Sequence, residues 1–104
     1  MRPRTSHGPV LVIDGDTFDN LEGFAYQFSS YLSDHVWHGN LDAFNDILRG
    51  GFGTPEDGFV LRWLSSSRSR RMLGAALFET LVEIIRTHGP SGDEADDGVE
   101  LEVA

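Results

Sequence analysis

The sequence predicts an α/β fold, a three-stranded parallel sheet with packed helices, and three observations carry that expectation. Three short runs, Val10–Ile13, Phe59–Trp63 and Val99–Val103, have strand length and strand-forming side chains. The stretches between them place apolar residues at helical spacing. Crossovers that contain a helix join parallel neighbours, because an antiparallel pair needs only a tight turn. Val10–Ile13 is continuously apolar, as a strand buried on both faces is, so the first strand is expected in the middle of the sheet.

The remaining elements follow in order. Asp14-Gly15-Asp16 ends the first strand. Asp19-Asn20-Leu21-Glu22 offers a capping-box pattern for a first helix, with Leu21, Phe24, Phe28, Tyr31 and Leu32 as its apolar stripe. Ser33–Gly39 is a short connection containing Asp34, His35, Trp37 and His38. In the second helix Leu41, Phe44 and Leu48 fall at i, i+3 and i+7, which leaves Asp42, Asn45 and Asp46 on the opposite, exposed face. Gly50-Gly51-Phe52-Gly53-Thr54-Pro55 is a flexible turn that cannot continue a helix. Ser65-Ser66-Ser67 supplies hydroxyl caps for a short helix that runs into a longer one. Met72 to Thr87 carries Leu73, Leu77, Leu81 and Ile84, and His88-Gly89-Pro90 stops it with Gly at C′. After an acidic loop, Ser91–Gly98, the last strand alternates as one half exposed to water does. Residues 1–9 are expected to be a flexible tail, leaving one domain over 10–104.

Composition narrows the function. With 104 residues, 39% hydrophobic and 11% aromatic, the chain suits one globular domain. It has no cysteine, hence no disulfide or thiolate chemistry. The net charge is −9, and every one of the eight Lys/Arg residues is Arg. Without lysine there is no phosphate-loop nucleotidase and no Schiff-base catalysis. Such acidity argues against nucleic acid and for a basic partner, although it also serves solubility. The apolar run Val10–Ile13 is shorter than a signal peptide or a membrane span requires, so the expected location is cytoplasmic and off the membrane.

Enzyme readings find little support. His35, His38 and Asp42 have a conceivable metal spacing but match no established ligand pattern, so neither metal nor other cofactor is expected. An acid–base pair of Asp42 and Asp46 needs a cleft that an exposed helix face does not provide, so no catalytic residue is assigned. Gly51-Phe52-Gly53 is too brief for a dinucleotide loop. Trp37 has two readings, core beneath its loop or anchor of an interface.

Asp42 and Asp46 are the informative pair. They stand one turn apart and repel by a few tenths of a kcal/mol. Asp46 also lies in the last turn, where the helix dipole disfavours a negative charge. A helix made only to pack gains by replacing one of them, whereas a helix presenting carboxylates to a cationic partner keeps both. The alternative is a solvated face, with Arg49 three residues beyond Asp46 as an intrahelical partner. The presenting reading requires both side chains to point outward and to be disengaged from the chain's own arginines.

Asn40-Leu41-Asp42-Ala43-Phe44, with Asp46 two further on, resembles the signature helix of the barstar family, intracellular inhibitors of secreted barnase-type ribonucleases. The resemblance extends over Val10–Val103 through the opening strand with its Asp-Gly turn, a strand ending near Trp63, and the Gly89 that closes the long helix. It implies a barstar-like single domain that plugs the cationic active site of a basic microbial ribonuclease of barnase, guanyl-preferring type in a 1:1 complex. Carboxylates of the second helix would stand in place of phosphate oxygens. Asp46 matches the aspartate that enters the catalytic site, Asp42 the second interfacial acid, and Asn40 the asparagine that fixes the loop. The family places paired aromatics and a Gly-Glu before that asparagine, whereas this loop reads Val36-Trp37-His38-Gly39. The ring expected to stack on the nuclease's catalytic histidine therefore falls at Val36 or Trp37. Asn45 stands where the family has a Trp, and for its acid late in the long helix Glu83 is near but Ile84 aligns. The expected partner-binding set is Val36, Trp37, His38, Gly39, Asn40, Asp42, Asn45, Asp46 and Arg49. The alternative functions are an acidic barstar-like interaction domain binding a non-nuclease partner and, further off, a small metal-dependent hydrolase.

Overall fold

Three strands, β1 (Val10–Asp14), β2 (Phe59–Leu64) and β3 (Val99–Val103), pair in parallel in the order β1-β2-β3. Val10 lies beside Val60, and Phe59 beside Val99. The computed structural model describes residues 9–32, 36–50, 53–54, 58–89, 92–93 and 97–104. The expected tail apart from Pro9, residues 33–35 of the connection, Gly51, Phe52 and Pro55 of the turn, Pro90, and Ser91 and residues 94–96 of the acidic loop lie outside those residues.

The parallel α/β sheet is as expected, but its middle strand is β2 rather than β1. Phe59, Val60, Leu61 and Trp63 of β2 are all buried, whereas β1 alternates and exposes Val10. Of the apolar run of β1 only Leu11 and Ile13 are buried, and the strand's free edge is closed by side chains of α1 (Leu21–Ser29) and of the residues just after it. Tyr31 Oη accepts from Val12 N at 3.0 Å and donates to Val12 O at 2.9 Å. Gln27 Oε1 accepts from Asp14 N at 2.7 Å, and its Nε2 donates to Asp14 O at 3.1 Å. Two side chains thus take the hydrogen-bonding place of a further strand.

Helix α1 starts as its sequence indicates, with Asn20 Oδ1 accepting from Gly23 N at 2.9 Å. Its Phe24 and Phe28 enter the core, joined by Phe44 of α2 (Leu41–Arg49) and by Trp63 of β2. The expected short helix running into a longer one is α3 (Ser66–Leu73) followed by α4 (Ala75–Thr87), and the break falls at Gly74, so the longer helix starts at Ala75 rather than Met72. Ser65 takes the N-cap position of α3 without a side-chain cap bond. Ser66 instead donates from its backbone N (2.9 Å) and Oγ (3.1 Å) to Ala104 O. Gly89 ends α4 for a reason other than a left-handed turn. A Cβ there would stand 2.4 Å from Val99 O, so glycine is what lets α4 close onto β3. Among the described residues no helix is long and apolar enough to cross a membrane.

Candidate protein-interaction site

Helix α2 turns its apolar side inward. Phe44, Ile47 and Leu48 are fully buried, while Asp42 and Asp46 are exposed. Ile47 joins the stripe that Leu41, Phe44 and Leu48 mark in the sequence. Asn40 caps the helix, its Oδ1 accepting from Ala43 N at 2.9 Å. Before it Gly39 has φ +103°, a region that L side chains rarely adopt, so the turn into the helix specifies glycine.

The loop leading to α2 is fastened from below. Trp37 is only 2% exposed and stacks on Phe44, ring centroids 4.5 Å apart and planes 16° from parallel. Its Nε1 donates to Asn40 O at 2.7 Å. Ser29 Oγ of α1 accepts from Trp37 N at 2.8 Å and donates to Trp37 O at 3.1 Å. Of its two readings Trp37 therefore takes the core one, and its ring is not presented to solvent. Val36, 61% exposed, and exposed His38 are the outward side chains of the loop.

Asp42 meets the requirement of a disengaged carboxylate, since among the described residues it forms no ion pair or hydrogen bond. Asp46 does not: Arg49 Nη1 donates to its Oδ1 at 2.7 Å. The side chains are 45% and 62% exposed, which makes this an outward i,i+3 pair in water. Asn45 is turned inward, its Oδ1 lying 2.6 Å from Nε2 of buried His88. His88 Nδ1 lies 2.6 Å from Asp97 Oδ2.

Two features escape sequence reasoning. Tyr26 on α1, 81% exposed, lines a groove of about 270 Å³ with Glu22, Ala25, Val36, Trp37 and His38. Its sequence signal is that it falls off the Leu21/Phe24/Phe28 stripe. The His88–Asn45 contact spans 43 residues and has no local signal. Glu83 lines a separate cavity of about 300 Å³ with Ser66, Arg70, Phe78 and Val103, and Ile84 packs against the core. The metal spacing His35, His38, Asp42 lies partly outside the described residues, and among the described ones no group of three or more potential metal ligands gathers.

A small single-layer parallel sheet thus carries a capped helix whose acidic face points outward and whose other face rests on an aromatic base. The family model described as Barstar (barnase inhibitor) matches residues 8–104, and the chain belongs to that family. No curated protein matches it.

Proposed function

We propose that this protein is an inhibitor that binds a basic microbial ribonuclease of the barnase, guanyl-preferring type one to one and blocks its active site, without catalysis of its own. The observation that carries the reading is the acidic face of α2, held on a helix whose other face and preceding loop are locked into aromatic core. Carboxylates set against arginines make short, charge-assisted hydrogen bonds, and a rigid support lowers the ordering cost of binding. Val36, His38, Asn40, Asp42 and Asp46 form the centre of the surface. Tyr26 extends it across the groove beside Val36, and it, rather than buried Trp37, is the aromatic ring offered to the partner. The Arg49 pair departs from the disengagement required of Asp46, and a partner has to break it. An exposed i,i+3 pair contributes only about 0.3–0.5 kcal/mol, far less than a desolvated carboxylate gains among several cations.

The test is titration against a panel of basic microbial ribonucleases. Cleavage of RNA by the cognate enzyme should cease at equimolar ratio, with an association rate that falls steeply as salt rises. Tight binding that leaves RNA cleavage intact would make the protein an adaptor for a non-nuclease partner instead.

A further inference from the structure

We infer that His88 is a positioning residue for recognition, holding α2 in register against the end of α4 and the start of β3 and so setting where Asp42 and Asp46 stand. The inference rests on the proposed inhibitory reading for its purpose, though not for its geometry.

His88 is fully buried and bonded on every side. Its N–H donates to Ile85 O at 3.1 Å, and its carbonyl accepts from Val99 N at 2.9 Å. Its Nδ1 meets Asp97 and its Nε2 meets Asn45 of α2, both at 2.6 Å. One residue therefore joins α4, the segment before β3, β3 itself and α2. A buried ring with two polar atoms is a costly way to fill space, since an apolar side chain of similar size carries no desolvation penalty. What an apolar side chain cannot provide is direction.

The fully buried side chains of α2 are Phe44, Ile47 and Leu48, apolar surfaces that resist separation better than they resist rotation. A short hydrogen bond from Asn45 has a fixed length and angle. Asn45 follows Asp42 by three residues and precedes Asp46 by one, so a roll about the helix axis displaces both acids together. With side-chain tips about 6 Å from the axis, a roll of about 10° moves each carboxylate by about 1 Å. That is enough to spoil bidentate geometry. The brace does not depend on the charge of the ring. A protonated ring donates to both oxygens, whereas a neutral ring donates to Asp97 and accepts at Nε2 from the Asn45 amide turned about its axis.

The variant to make is Asn45→Ala, because Asn45 is half-exposed and its truncation leaves the His88–Asp97 pair and the core in place. In the free protein, amide exchange within α2 should quicken about tenfold, as loss of a native bond to that helix requires. The ring-nitrogen NMR shift of His88 Nε2 should move as its partner is lost. Asn45→Gln, which keeps both the amide donor and the amide acceptor, should recover part of the α2 protection. In complex with the ribonuclease it inhibits, Asn45→Ala should dissociate about tenfold faster with an association rate within about twofold of the parent. Unchanged α2 exchange would overturn the brace. Quickened α2 exchange with an unchanged dissociation rate would overturn its role in recognition. Failure of the parent chain to inhibit any ribonuclease would instead strike the proposed function, which the exchange measurements do not touch.

Discussion

Replacing Asp46 by Ala separates recognition from folding, because the structure gives the two effects different sizes and signs. The variant loses the pair with Arg49, whose partners are 45% and 62% exposed. Such a pair contributes about 0.3–0.5 kcal/mol. It also removes repulsion from Asp42, worth a few tenths of a kcal/mol. An unfavourable charge leaves the last turn of α2, worth about 0.3–1 kcal/mol before solvent screening. Alanine is moreover the better helix former by about 0.5 kcal/mol. Folding stability should therefore be unchanged or higher by up to about 1 kcal/mol. Binding should weaken by about 2–5 kcal/mol, since the partner's cations are left buried without their anion. That range draws in part on barnase-type complexes and is not independent of the family. Urea unfolding should show a midpoint equal to or above the parent's with the same slope. Titration calorimetry should show the loss of affinity. A variant that unfolds more easily by 1 kcal/mol or more yet binds undiminished would refute the argument.

Three other substitutions probe the support and the edges of the surface. Trp37→Ala removes a buried ring stacked on Phe44 and should cost about 3–5 kcal/mol of folding stability, measured by denaturant unfolding. Trp37→Phe, which keeps the ring and loses the bond to Asn40 O, should cost no more than about half of that. Tyr26→Ala should leave stability within about 0.5 kcal/mol of the parent, as surface changes usually do, while raising the dissociation rate of the ribonuclease complex; no change in that rate would remove Tyr26 from the interface. Gly89→Ala sets a Cβ 2.4 Å from Val99 O, and about 2 kcal/mol or more of destabilisation should appear in thermal melts.

The sequence makes local features legible and misplaces what depends on distant parts. Helix α2 and its outward aspartates follow from spacing alone, because a helix fixes its faces within two turns. Strand order does not. An apolar run such as Val10–Ile13 reads the same whether another strand or a helix covers it, and here Tyr31 and Gln27 cover an edge. Gly74 leaves no gap in the helical pattern, because Leu73, Leu77 and Leu81 keep their period across it. In the site, Val36 and Trp37 are adjacent, and which one faces outward depends on Ser29, a residue of the preceding helix. Periodicity puts Asn45 on the outward face. Its polarity is answered by His88, and no helical wheel contains that partner.

These placements explain how α2 keeps an acidic face that its own energetics disfavour. Nine residues are too few for a helix to persist alone in water, so its order is imposed by tertiary contacts. Phe44, Ile47 and Leu48 each contribute about 1.5–3 kcal/mol by burial. The combined cost of the Asp42–Asp46 repulsion and the dipole conflict is smaller than one of those side chains supplies. The core therefore decides that the helix forms, and the outer face is left open to selection for charge. What burial does not decide is the angle at which that face is shown. Angle is set by the directional contacts around α2: the Asn40 cap, the Trp37 indole on Asn40 O, and the His88–Asn45 bond. A core variant that loosens α2 without touching those bonds, such as Ile47→Val, should thus lower stability by about 0.5–1.5 kcal/mol. It should leave the dissociation rate of the complex nearly as it was. Equal losses in both would place the angular control in the apolar contacts instead.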